Sequence, residues 1–264
     1  MQLSIIIVNY NGLKYLKNCF DAIYDKLESI SFEIIVVDNN SSDESCSFIK
    51  ENYPKINLIE SDKNLGFGKA NNLGVQHAKG DIILLLNNDT ILLDEINDAI
   101  KALISDESIG AVTINMLNAE KKYLHATGQF PTPLKLIKIS LLSDKRKEFK
   151  TGIFDESKIY NADWITGAFM LIRKCDYLSI GGFDDDYFMY VEDVDICKKL
   201  DNINKRCIFI PRMKYIHFVG FNKTREKFLI EGYRIYVEKH FSGFSKFVAN
   251  TMLTINTLVK RLKN

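Results

Sequence analysis

The sequence predicts an α/β fold built on a mainly parallel central sheet flanked by helices, and three features carry that expectation. Ile82-Ile83-Leu84-Leu85-Leu86 is an unbroken apolar run, the pattern of a strand buried on both faces. From Leu3 to Ile114, strand-like runs alternate with segments of helical spacing, the rhythm of right-handed βαβ units. The strands also empty into polar clusters, at the carboxyl edge where open α/β sheets place their ligands.

In chain order, Leu3-Ser4-Ile5-Ile6-Ile7-Val8 is a β-branched strand that stops at the turn cluster Asn9-Tyr10-Asn11-Gly12. Leu13, Leu16, Phe20, Ile23 and Leu27 then recur on one helical face. Phe32 to Val37 is the second strand, and Asp38-Asn39-Asn40-Ser41-Ser42-Asp43 both ends it and caps a helix starting near Glu44. Ile56 to Ile59 makes a short third strand. Asn64-Leu65-Gly66-Phe67-Gly68 leads as a loop into a helix from Lys69 to Ala78. These glycines do not form a dinucleotide fingerprint, because that belongs after the first strand, which ends at Asn9 without a glycine-rich turn. They read as turn residues, or as bare backbone lying close to a sugar or phosphate.

The opening apolar run ends in Asn87-Asn88-Asp89. That is an ordinary strand-to-turn exit, or a set of hard oxygen atoms for a divalent cation that holds a diphosphate. Ile96, Ile100, Leu103 and Ile104 predict another helix, and Ile109 to Ile114 another strand. Residues 115–160 are weakly patterned. Their charged run Asp144-Lys145-Arg146-Lys147-Glu148 reads as a solvated loop, and the whole stretch as a mobile lid or acceptor-facing insertion.

Trp164 to Arg173 reads as one strand led by the only tryptophan, a core residue or a stacking platform for a sugar ring. Between Gly181 and Cys197, Asp184, Asp185, Asp186, Glu192, Asp193 and Asp195 are interleaved with aromatics, without the ligand positions of an EF-hand. A helix starts near Glu192. Acids there favour the helix dipole, and a carboxylate at a helix start beside apolar walls suits a general base. Ile208 to Pro211 and Tyr215 to Phe218 read as two strands, with His217 either structural or a ligand. Arg225, Lys227 and Arg234 lie on a further helix, as solvated charge or as a diphosphate clamp. The tail 241–264 holds no acid and reads as a packing helix or as a basic amphipathic helix resting on an anionic membrane.

Composition narrows the classes. The net charge of +1 gives no electrostatic case for a nucleic-acid partner. Cys19, Cys46, Cys175, Cys197 and Cys207 form no C-x-x-C pair, which predicts reduced thiols, a cytoplasmic setting and no zinc cluster. No signal peptide and no window of ~18 apolar residues is present, so a soluble protein is expected, one able to touch the inner face of a membrane.

Together these stretches resemble inverting family 2 glycosyltransferases with the GT-A fold, of the rhamnosyltransferase-like kind. The likeness runs over residues 3–240: Ser4 to Asn11 for the opening strand, Val37 to Asp43 for the nucleobase loop, Asn64 to Asn72 for a subgroup stretch, Leu86 to Asp89 at the D-x-D position, and Glu192-Asp193 at the catalytic acid pair. The resemblance implies a GT-A domain over 1–240, with a nucleotide-sugar half over 1–114 and an acceptor half over 115–240, followed by the tail 241–264. It implies that Asp193 is the base with Glu192 as the fallback. Donor contacts would come from Val8, Asn9, Tyr10, Asp38, Gly66, Phe67, Asn71, Asn88 and Asp89. Asp89 and His217 would hold a divalent cation, Mg²⁺ or Mn²⁺, and Trp164, Gly167 and Ala168 would border the acceptor. The implied partners are a nucleotide-sugar donor, dTDP-rhamnose before a UDP-hexose, and a glycan or lipid-linked acceptor; a homodimer stays open.

Two departures stand out. Asn87 occupies the first D-x-D position, which leaves the cation a single carboxylate, and residues 221–224 lack a serine expected soon after the histidine. Two rival readings are a sugar nucleotidyltransferase and a non-catalytic nucleotide-sugar-binding subunit. The first would want a glycine-rich basic loop where Asn9 to Lys14 stands; intact Asp89, Glu192 and Asp193 speak against the second.

Overall fold

A computed structural model describes residues 3–218 and 225–261; the missing-serine segment 221–224 lies outside them. The chain runs β1 (Leu3–Asn9), α1 (Leu13–Lys26), β2 (Phe32–Asp38), α2 (Ser45–Asn52), β3 (Asn57–Glu60), α3 (Phe67–Gln76), β4 (Ile82–Leu86), β5 (Thr90–Leu92), α4 (Asn97–Ser105) and β6 (Ile109–Leu117). It continues through β7 (Thr127–Gly128), two 3-10 turns (Leu134–Ile137 and Ile139–Leu142), α5 (Lys147–Thr151), β8 (Tyr160–Ala162), β9 (Trp164–Ile165), β10 (Phe169–Arg173) and α6 (Lys174–Ser179). Then follow α7 (Glu192–Asn202), β11 (Arg206–His217), α8 (Arg225–His240) and α9 (Gly243–Arg261).

The main sheet has the order β3-β2-β1-β4-β10-β6-β11-β5, with β8 pairing β11. β1 to β4 pair in parallel, as the βαβ rhythm requires. β10 then enters antiparallel between β4 and β6, and β6 and β11 resume parallel pairing. The alternation of side chains along each strand sorts the core into two layers. Ile5, Ile7, Leu84 and Leu86 pack with α1, α2 and α4, whereas Ile6, Ile83 and Leu85 pack with α3, α6 and α7. A third cluster joins α8, α9 and the 3-10 turns through Leu136, Tyr233, Val237, Ala249 and Leu253.

Several expectations need correction. The run 144–148 is solvated only in part: Lys145, Arg146 and Lys147 are exposed as expected, but the Asp144 carboxylate is buried against Arg146, α5 begins at Lys147, and Phe149 just beyond fills an aromatic cluster with Phe154, Tyr160 and Phe209. Trp164 to Arg173 is two strands, because Thr166 to Ala168 leave the sheet to face the cleft. The two strands expected after Arg206 are one, since a register shift between Ile210 and Lys214 absorbs Pro211 without ending the pairing with β6. Among the described residues no helix is long and apolar enough to cross a membrane.

Candidate active site

Parallel strands bring their carboxyl ends to one edge, and the polar clusters meet there. The Asn9 amide nitrogen donates to Asp38 Oδ1 at 2.8 Å, and Asn88 Nδ2 donates to Asn9 Oδ1 at 2.8 Å. The Ser41 hydroxyl and backbone N–H donate to the two Asp38 oxygens at 2.6 and 2.8 Å. Asp38 therefore clasps the ends of β1 and β2, and a ligand would have to share its remaining lone pairs. Gly12 makes the clasp possible: a Cβ there would lie 2.0 Å from Asn88 Nδ2. Tyr10 is 53% exposed beside this chain of bonds, and Val8 is half-buried.

Two expected donor contacts turn inward. Asn71 is buried, and its amide donates to Phe67 O within α3. Gly66 has φ +80°, and a Cβ on it would meet Phe188 O at 2.3 Å, so its bare backbone is what lets Phe188 pack there. Phe67, by contrast, lines the cleft, with its N–H donating to Phe188 O at 2.9 Å.

The exit of β4 is held tightly. Asn87 N–H donates to Ala168 O at 3.0 Å, and Thr90 Oγ1 donates to Asn87 O at 2.7 Å. Antiparallel pairing of β5 with β11 sets Thr90 opposite His217. As a result His217 Nε2 lies 3.1 Å from Asp89 Oδ1 and 3.2 Å from the Asn87 amide. The other ring nitrogen of His217 is buried and has no hydrogen-bond partner among the described residues. Among the described residues no three His, Cys, Asp or Glu side chains converge, so a cation here would draw on one carboxylate, one imidazole and the Asn87 carboxamide. Asp89 and His217 atoms 3.1 Å apart fit neighbouring ligands of one ion, with substrate oxygens completing the shell.

On the facing side, Tyr190 and Val191 both have left-handed backbones, φ +69° and +74°, immediately before α7. A β-branched residue there is strained, and such strain persists only where surroundings impose it. Gly232 of α8 supplies that support, since a Cβ on it would sit 2.6 Å from Tyr190 O and 2.8 Å from the Val191 side chain. One turn into α7, fully buried Asp195 bonds His240 at 2.7 Å and Lys199 at 3.2 Å, tying α7 to the end of α8.

The strained turn presents Glu192 and Asp193. Glu192 is buried, and its Oε2 has no hydrogen-bond partner among the described residues; burial, then the neighbouring Asp193 charge, hold its carboxyl well above the usual carboxylate range. Burial pushes Asp193 up to about 6, opposed by the N–H groups of Gly167 at 3.4 Å and Val194 at 2.9 Å. A carboxylate poised near neutrality can accept a proton and later release it.

Asp89, His217, Glu192 and Asp193 line one cavity of about 370 Å³, together with Phe67, Trp164 and Thr166 to Ala168. Trp164 pairs across β7 and β9 with Gly128, where a Cβ would lie 2.4 Å from the indole, and donates from Nε1 to Gln129 O at 3.1 Å. A larger cavity of about 470 Å³ beside Asp144, Arg146, Lys205 and Arg206 contains none of these acids. Its cations are already spent on Asp144, Asp176 and Asp106.

Residues 4–190 match the family model described as Glycosyl transferase family 2. The chain belongs to that family. The match ends two residues short of Glu192, so the acid pair and His217 stand outside it. Rhamnosyltransferase WbbL of Escherichia coli K12 is 29% identical over 248 residues, covering 90% of each chain. The N-acetylglucosaminyl-diphospho-decaprenol L-rhamnosyltransferase of Mycobacterium tuberculosis is 22% identical over 242 residues, 85% of this chain and 78% of that one. Among solved structures, GalNAc-T7 with UDP, GalNAc and Mn²⁺ superposes with a TM-score of 0.71 at 16% identity, over 90% of this chain and 48% of that chain. The mannosyltransferase PcManGT of Pyrobaculum calidifontis, in complex with GDP-Man and Mn²⁺, gives 0.63 at 19% identity, over 96% and 68%. This family 2 glycosyltransferase thus has the GT-A fold.

Its cleft also holds residues that sequence reasoning missed. Met116, His125, Met189 and Tyr190 line it, as do Leu229 and Tyr233 of α8. His125 lies in the weakly patterned stretch and carried no signal. Arg225 lines the cleft too, its guanidinium 5.7 Å from the Tyr190 ring centre; its place on a helix with other cations was the available hint.

Proposed function

We propose that this glycosyltransferase moves a hexosyl residue, rhamnosyl from dTDP-rhamnose ahead of a UDP-hexose, onto a hydroxyl of a glycan or lipid-linked acceptor with inversion. The observation that carries the reading is that Asp89 and Asp193 line the same cleft from opposite parts of the chain. The rhamnosyl donor is supported by the names of two relatives, WbbL and the mycobacterial enzyme.

The mechanism is one in-line displacement at the anomeric carbon. The acceptor hydroxyl gives its proton to Asp193 as its oxygen attacks, and the nucleoside diphosphate departs on the far side. Asp193 must come within about 3 Å of that hydroxyl in the productive complex. Burial and then the neighbouring Asp193 charge favour the protonated form of Glu192, which leaves Asp193 the better placed of the pair to carry charge. Asp89 and His217, with the Asn87 amide beside them, would hold the Mg²⁺ or Mn²⁺ ion. When bound, that ion stabilises negative charge on the leaving diphosphate. Trp164, Gly167 and Ala168 border the acceptor, and the clasp of Asn9, Asp38 and Asn88 shapes the nucleotide end.

Release of nucleoside diphosphate, followed with and without acceptor, tests the reading. Asp193→Asn should lose about 10²–10⁴-fold in transfer while keeping donor affinity. Loss of both would reassign Asp193 to the fold. Asp89→Ala should weaken donor binding only when the cation is present; equal affinity in wild type and variant, with cation or with chelator, refutes the assignment. A thermal-shift panel of nucleotide sugars identifies the donor.

A further inference from the structure

Helix α9 is apolar on two opposite sides. Ala249 and Leu253 face inward, and Asn256 Nδ2 donates to Leu136 O at 3.1 Å, fastening the helix to the first 3-10 turn. Positions 244, 247, 251, 255 and 258 fall on the other side by helical spacing. There Phe244 and Phe247 are 79% and 67% exposed, with rings stacked 6.4 Å apart, and Leu258 is exposed farther along. The 3-10 turns packed against α9 repeat this pattern: Leu136 and Leu142 are buried, whereas Leu134, Ile137 and Leu141 are exposed.

Charge decides what covers such a face. Around the 3-10 turns Lys135, Lys138, Lys145, Arg146 and Lys147 stand against Asp144 and Glu148, five cations to two acids, and Asp144 is bound by Arg146. Lys138, Lys145 and Lys147 have no carboxylate partner among the described residues. In α9 itself Lys246 and Lys260 turn back to Glu238 and Glu226 of α8, and no acid is present. A second copy seated on this face would press lysines against lysines. We propose that α9 and the flanking 3-10 turns seat the enzyme on an anionic lipid surface, with Phe244, Phe247, Leu134 and Ile137 entering the headgroup region and the lysines meeting lipid phosphates. The apolar cluster beneath this face includes Trp164, Leu229 and Tyr233 of the cleft, so the seat adjoins the acceptor side. Its benefit to transfer rests on the lipid-linked acceptor proposed above; the binding does not.

Cosedimentation of the full chain with phosphatidylcholine vesicles, with and without phosphatidylglycerol, tests this. Binding should require the anionic lipid and weaken with salt. Phe244→Ser/Phe247→Ser and Lys138→Glu/Lys145→Glu should each lower the partition coefficient by about tenfold or more, leaving nucleoside-diphosphate release with a soluble acceptor unchanged. Wild-type protein that pellets with neither vesicle, or variants that pellet like wild type, overturn the proposal. So does a dimer in sedimentation analysis that the phenylalanine substitutions dissolve. Vesicle binding without transfer would sink the enzymatic reading alone, and transfer without vesicle binding would sink the lipid seat alone.

Discussion

Asp193 and Glu192 share a turn yet differ in what surrounds them, and the difference makes a pH prediction. A base with its pKa at about 6 works only when deprotonated, so kcat should rise with pH and reach half its plateau near that value. A pH–rate profile flat through that region would remove Asp193 from the role. Glu192 gives a stability prediction of definite sign. Its pKa is raised in the folded state, so the unfolded chain releases the proton first as pH increases, and the native state loses stability above the ordinary glutamate range. Glu192→Gln should therefore raise the melting temperature at neutral pH, with the gain vanishing in acid, as differential scanning calorimetry can check. The identity of these acids was legible because Glu192 begins a helical pattern. Their inequality was not, since burial depends on walls contributed by distant segments such as Gly167 and α8.

The left-handed pair Tyr190-Val191 and the glycine beneath it act as a unit. An alanine at position 232 would gain about 0.5–1 kcal/mol in helix propensity, but its methyl would lie 2.6 Å from Tyr190 O. The contact wins, because a backbone oxygen in a constrained turn cannot rotate aside. Gly232→Ala should lower kcat by roughly 10²-fold through misplaced acids, with the donor KM held; an unchanged kcat in steady-state assays would show that the turn is not braced from α8. Propensity and periodicity found α8 but gave this glycine no role, because its neighbour is some forty residues away in sequence. The first four strands were readable for the opposite reason. Their apolar runs and polar exits are local, and parallel pairing through short helices is nearly obligatory. Residues 115–160 resisted reading because their order comes from side chains meeting far-off partners, as when Phe149 meets Phe209.

For the whole molecule, the C-terminal helix is part of the hydrophobic core as well as a surface. Leu253 is fully buried against α8 and the 3-10 turns, so Leu253→Ala should cost about 2–5 kcal/mol in urea unfolding. A loss well below that range would mean that α9 docks independently of the rest. The antiparallel β10, which comes from the later part of the chain, lies hydrogen-bonded between β4 and β6 from the earlier part. This stitching leaves no seam along which two lobes could swing. Substrate exchange must then be carried by short loops at the rim, and X-ray scattering with and without nucleotide should return one unchanged radius of gyration.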